Sequence, residues 1–265
     1  MKSGVRLYPS LVRNMIDMTQ ASPYGQRAKI GLVIPSNNTV IEPEFWAMRP
    51  VGVTVHGNRI LTRGNTPEGI VEMEKSATRA VAELAAGQMS VIAYACLATS
   101  LVKGIPWTGE VSKKIEADTG RPSTTAAVAT VEALRAVGAI RVAVATPYRD
   151  SIQAYVRPFL EAMGLSVVST RNMNVQNSLE LWRIPSDEVI DFARSVDTPD
   201  AQALCIVATD LPTAVIIQRL EDELGKPVVT TNQAMLWKCL ALAGVCDSIP
   251  GFGRLLRQIR EPVRA

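Results

Sequence analysis

Cys96 closes the apolar run 90–95 (SVIAYA) and opens a hydroxyl-bearing turn, CLATS. A thiol where a strand gives way to a loop stands near backbone N–H donors, which favour the thiolate and make it a nucleophile or a base. A buried structural cysteine is the alternative reading. Cys205 sits inside ALCIV and reads as core, and Cys239 and Cys246 fall within and after the last helical pattern, where no catalytic context surrounds them. The single histidine, His56, has no ligand spacing around it and reads as a strand-end polar residue; no metal is expected. Three further turns share the character of the Cys96 turn: Pro35-Ser36-Asn37-Asn38-Thr39, Pro147-Tyr148-Arg149-Asp150, and Ala208-Thr209-Asp210-Leu211-Pro212-Thr213. Such turns present backbone N–H groups at helix starts, where a carboxylate or an oxyanion can be held. They also serve as plain helix caps.

The elements that must position these turns repeat along the chain. Strands are expected at 29–35, 53–61 and 90–95, with helices at 66–87, 106–119 and 124–138. Thr66 and Pro67 supply a cap and a first helical position for the first of these helices. The order then recurs: strands at 141–147, 165–172, 201–207 and 227–230, and helices at 151–163, 186–196, 213–224 and 232–244. Pro35 and Pro147 lie 112 positions apart, as do Cys96 and Ala208. TGRPSTTAAVA and LGKPVVTTNQA also match. Three elements recurring in order indicate a duplication. The expected fold is therefore α/β, with two pseudo-symmetric subdomains of parallel four-stranded sheets flanked by helices. In such sheets ligands bind beyond the carboxyl ends of the strands, which places the site in the cleft between the halves. The division is 29–140 plus 247–265 for the first subdomain and 141–246 for the second. Residues 1–28 form an N-terminal extension that could act as a packing or dimerisation arm.

Composition narrows the function. The chain has 265 residues, 47% of them hydrophobic, enough for a sizeable core. A net charge of +3 is too small to argue for nucleic acid. No apolar run is long enough to span a membrane, and the N-terminus lacks an apolar signal region, so a cytoplasmic protein with reduced thiols is expected.

At these residues the chain resembles the aspartate/glutamate racemase superfamily, in its maleate cis–trans isomerase and arylmalonate decarboxylase branch, over roughly residues 29–256. VIPSNNTVIEPEF resembles the isomerase opening motif, and YACLATSLVKG the first catalytic-cysteine motif. TPEG, ATPY, TSL and PGFGRLL are similar to the decarboxylase, and VVTTNQAMLW is shared in style with the isomerases. The resemblance implies a cofactor-independent enzyme acting on a small carboxylic acid, in a homodimer or higher homo-oligomer. It implies that Cys96 is the first catalytic cysteine, that Asn38 orients a substrate carboxylate, that Tyr148 donates a hydrogen bond, and that Asn177 (in NVQNSLE) binds substrate. Pro35, Ser36, Leu97, Ala98, Thr209 and Asp210 complete the substrate-binding set, with backbone N–H groups around Leu97–Ala98 and Thr209–Asp210 holding developing negative charge.

One departure matters. Isomerases and racemases of this superfamily place a second cysteine where this chain has Ala208, whereas the decarboxylases lack the first cysteine and keep the second. Two readings stay open: Ala208 replaces an original cysteine in an inactivated variant, or the protein is a one-cysteine enzyme. The reaction implied first is cis–trans isomerisation of a maleate-type dicarboxylate by covalent addition of Cys96. Decarboxylation of an arylmalonate with Cys96 as proton donor, amino-acid racemisation, and non-catalytic binding of a small acid are the alternatives.

Overall fold

The computed structural model describes residues 24–260 except 63 and 65; most of the expected N-terminal extension therefore lies outside the described residues. Two four-stranded parallel sheets form the frame. The first holds β1 (Ala28–Pro35), β2 (Val53–Ile60), β3 (Val91–Tyr94) and β4 (Ser123–Thr125) in the order β2-β1-β3-β4. The second holds β5 (Arg141–Thr146), β6 (Ser166–Asn172), β7 (Ala203–Ile206) and β8 (Val228–Thr230) in the order β6-β5-β7-β8. The second order reproduces the first, so the repeat read from the sequence is a repeat of topology. β1, β3, β7 and β8 are buried almost throughout, as expected for strands covered on both faces.

The helices are α1 (Ile41–Met48), α2 (Pro67–Glu74), α3 (Ala77–Ala86), α4 (Leu97–Thr119), α5 (Ala126–Ala136), α6 (Asp150–Ala162), α7 (Ser186–Val196), α8 (Ile217–Leu224) and α9 (Thr231–Leu242). Several differ from expectation. α1 was not anticipated, because its eight residues carry two glutamates and a proline and show no long apolar period. The helix expected over 66–87 is two helices, α2 and α3, separated at Lys75–Ser76. α4 begins directly after Cys96 and is bent at Gly104, whose φ of 82° is a left-handed conformation that only glycine adopts without strain. Pro106 starts the second piece, where a missing N–H costs nothing. Ser178–Arg183 is an unforeseen 3-10 turn, and the segment expected to be helical from 213 runs through a 3-10 turn, Ala214–Ile216, before α8 begins. His56 lies within β2 rather than at its end, with Nε2 2.9 Å from Thr54 Oγ1.

The two halves meet through α5 and α9. These helices pack against each other, and each also touches the last strand of the opposite sheet. The tail, expected with the first subdomain, bonds to both halves. Asp247 makes a two-point ion pair with Arg27 beside β1, while Arg254 N donates to Glu221 in α8 and Gln233 in α9 donates to Phe252 O.

Candidate active site

The carboxyl ends of β1, β3, β5 and β7 open onto one cleft. Its wall includes Pro35, Asn38, Cys96, Leu97, Ala98, Tyr148, Thr209 and Asp210, eight of the residues expected from the sequence. Three others are placed elsewhere. Ser36 stands behind the wall, its Oγ accepting from Thr62 N at 2.9 Å. Asn177 is exposed, and its Oδ1 accepts from Leu179 N at 3.1 Å, so it caps the 3-10 turn instead of facing the cleft. Ala208 is 1% exposed and does not form part of the wall; its successors Thr209 and Asp210 do.

The structure adds residues that the sequence did not single out. Asn37, Thr62 and Ser178 line the cleft and are tied together: Asn37 Nδ2 donates to Ser178 Oγ at 3.0 Å, and Thr62 Oγ1 donates to Asn37 Oδ1 at 2.9 Å. Ile70 and Met73 of α2 give the wall an apolar side. The duplicated Asn in SNN was visible, but only the fold shows that both asparagines reach the site.

Asn38 has two jobs. Its Oδ1 accepts from Val40 N and Ile41 N, at 2.9 and 3.1 Å, and so starts α1. Its Nδ2 donates to Thr209 Oγ1 at 3.0 Å, across the halves. One amide hydrogen remains for a ligand. A second cross-lobe tie lies just behind. Glu44 of α1 is buried and accepts from Thr213 N, from Ala214 N at 2.7 Å, and from Asn232 Nδ2 at 2.7 Å. Asn232 Nδ2 also reaches Thr209 O at 3.1 Å. The segment carrying Thr209 and Asp210 is thereby held from both sides. Burial raises the Glu44 carboxyl above its ordinary value, and these donors oppose the rise.

The electrostatics correct one expectation. Cys96 was expected to be a stabilised thiolate. Burial raises the thiol above its ordinary value and the Asp210 charge adds to it, outweighing the N–H groups of Thr99 and Ala98 at the start of α4. Burial, then the Asp210 charge, raises the Tyr148 phenol well above 10. Asp210 itself is pushed up by burial to about 6. No arginine, lysine or histidine lines the cleft among the described residues. Arg59 stands nearby but is committed, donating to Asn38 O at 2.6 Å and pairing with Glu42. Among the described residues, the donors available to an anion are neutral side chains and the N–H groups at the start of α4. Cys205 and Cys239 are pushed up to about 12 by burial, as befits core thiols.

Fold and site together define a two-lobed cysteine enzyme whose thiol lies in the cleft between duplicated parallel lobes. A profile of the arylmalonate decarboxylase family matches residues 30–256. Maleate isomerase from Nocardia farcinica is 33% identical over 240 residues, which is 87% of this chain and 96% of that protein. Arylmalonate decarboxylase from Bordetella bronchiseptica is 28% identical over 193 residues, 72% of this chain and 80% of that one. Among solved structures, a cysteine-to-serine variant of the Nocardia farcinica maleate cis-trans isomerase with a covalently bound succinylcysteine intermediate superposes with a TM-score of 0.82 at 32% identity, covering 87% of this chain and 98% of that one. The chain belongs to the arylmalonate decarboxylase family, in the maleate isomerase and arylmalonate decarboxylase branch of the aspartate/glutamate racemase superfamily.

Proposed function

We propose that this protein is a cofactor-independent cis–trans isomerase of a maleate-type dicarboxylate, with Cys96 as the covalent catalyst. The observation that carries the reading is Cys96 itself: a single thiol on the wall of a cleft lined by neutral hydrogen-bond donors, in a chain one-third identical to a maleate isomerase. Cys96 sulfur adds to one alkene carbon. The former double bond is then a single bond and rotates. Expulsion of the sulfur regenerates the alkene in the trans form. Leu97 N–H and Ala98 N–H, at the start of α4, oppose the negative charge that develops on the substrate carboxylate. Asn38, Tyr148 and the Asn37–Ser178–Thr62 cluster hold the carboxylates, and Ile70 and Met73 keep water from the alkene face.

The same reading takes in a cytoplasmic homo-oligomer, a first lobe at 29–140 plus 247–265 and a second at 141–246. Ala208 supports a second reading, arylmalonate decarboxylation, because one cysteine suffices to protonate an enediolate. The test uses the protein as it stands and its Ala208→Cys form, each incubated with maleate and with an arylmalonate in D₂O and followed by proton NMR. Fumarate formation from maleate is the expected result. Conversion of the arylmalonate to its monocarboxylic acid, with loss of carbon dioxide and without fumarate from maleate, replaces the isomerase with the decarboxylase. Inertness of both proteins towards both acids rejects both.

A further inference from the structure

We propose that the Asp210 carboxylate is the proton-transfer partner of Cys96, occupying the role that a second thiol would fill and that Ala208 cannot. The inference rests on the isomerase reading above and names the group that completes it.

The need for such a partner is physical. Cys96 is buried, and its surroundings keep it a thiol at neutral pH, so sulfur cannot attack until a base removes its proton. The cleft wall, among the described residues, offers three ionisable groups: Cys96, Tyr148 and Asp210. Tyr148 holds its proton too tightly to serve. Asp210 is the one ionised at neutral pH, and burial places its proton affinity near pH 6, where a carboxyl both takes and returns protons readily.

Its bonding also sets it apart from the structural carboxylates. Glu44 is saturated by donors from Thr213, Ala214 and Asn232, and Glu221 accepts from Val228 N and Arg254 N. No described side chain bonds to the Asp210 carboxylate. It keeps partial exposure and lies on the same cleft wall as Cys96. Its charge acts on both the Cys96 thiol and the Tyr148 phenol, as it must if the three face one volume. Its backbone is fixed because Thr209 is held by Asn38 through its hydroxyl and by Asn232 through its carbonyl. An acid left uncommitted beside a reactive thiol, on a braced segment, is arranged for transfer rather than for support.

The step balances without a further reactant. Asp210 takes the proton from Cys96 as sulfur bonds to the first alkene carbon, and the alkene π pair moves to the second carbon and its carboxylate. Asp210 returns that proton to the second carbon, giving a thioether of succinate. The carbon–carbon bond rotates. Asp210 then removes a proton from the second carbon, the C=C bond re-forms, the C–S bond breaks, and the departing sulfur recovers its proton from Asp210.

The experiment compares the protein with its Asp210→Asn, Asp210→Glu and Ala208→Cys/Asp210→Asn forms. It records maleate turnover against pH, the adduct on Cys96 by peptide mass spectrometry, and the rate of Cys96 alkylation by iodoacetamide. The unaltered protein should show kcat/KM rising with pH through about 6. Asp210→Asn should lower kcat by about a hundredfold or more, with little change in KM, and abolish that limb. Cys96 should still be alkylated, at a rate that differs from that of the unaltered protein because its neighbouring acid has left; retained alkylation excludes a collapsed site. Asp210→Glu should keep part of the activity, and the added thiol should restore part of it. Turnover by Asp210→Asn within about threefold of the unaltered protein, or persistence of the limb near pH 6, overturns the role of Asp210 while leaving the isomerase reading intact. If neither the unaltered protein nor its Ala208→Cys form makes fumarate, the isomerase reading falls, and the pairing of Asp210 with Cys96 falls as well if alkylation is the same in Asp210→Asn.

Discussion

Glu44→Ala tests the cross-lobe tie that braces the site. Glu44 Oε1 accepts two backbone N–H groups, those of Thr213 and Ala214, and Oε2 accepts Asn232 Nδ2 at 2.7 Å and the Thr213 hydroxyl at 3.4 Å. All of these are buried. Truncation strands the two backbone donors, each costing about 1–3 kcal/mol, and opens a cavity; loss of the buried charge gives some of this back. Asn232 Nδ2 keeps its bond to Thr209 O, so the third donor is not stranded. The expected loss is about 3–5 kcal/mol in unfolding free energy, read from urea denaturation at pH 7. Glu44→Gln discriminates further. Its amide oxygen can still serve Thr213 N and Ala214 N, but its NH₂ then meets Asn232 Nδ2. Asn232 Oδ1 is a buried atom without a partner, so a flipped Asn232 amide can accept from Gln at the expense of its bond to Thr209 O. That exchange should cost about 1–2 kcal/mol. Activity should fall in both variants, because the 209–214 segment loses its brace. A Glu44→Ala protein within about 1 kcal/mol of the unaltered one would refute the reasoning, since it would mean that water satisfies donors the structure shows as sealed.

Other outcomes follow from the same geometry. Asp210 titrates near 6 instead of 3.8, so its ionisation weakens the fold as pH rises between those values; the stability of Asp210→Asn relative to the unaltered protein should therefore be nil near pH 3 and grow to about 2–3 kcal/mol above pH 7, as measured by denaturation across pH. Asn38→Ala removes the acceptor for Val40 N and Ile41 N at the start of α1 and the bond to Thr209, and should cost about 1–2 kcal/mol while raising KM for maleate, read by thermal unfolding and steady-state kinetics. Gly104→Ala forces a side chain into φ 82° and should destabilise by about 1–2 kcal/mol in the same unfolding assay. In the native protein, iodoacetamide should label exposed Cys246 first and leave Cys205 and Cys239 untouched, as peptide mapping will report.

The amino-acid sequence by itself determined the duplicated topology and the place of the thiol. Strand periodicity and turn chemistry are local, and a repeat of 112 positions carries Pro35 onto Pro147 and Cys96 onto Ala208 whatever the packing. The sheet orders and the positions of Asn38, Tyr148, Thr209 and Asp210 on the cleft wall agree with that reading. Only the tertiary structure decided what those residues do there. Asn177 and Ser178 are neighbours in the chain, yet the 3-10 turn sends Ser178 to the cleft and employs Asn177 as its cap. Asn37 and Thr62 bond at 2.9 Å although 25 residues separate them. The state of Cys96 was out of reach from its neighbours in sequence, because donors at a helix start favour a thiolate while burial by both lobes favours the thiol, and the balance is set by how completely water is excluded. The same exclusion raises the Asp210 carboxyl to about 6, a property that belongs to its surroundings and not to its place in the chain.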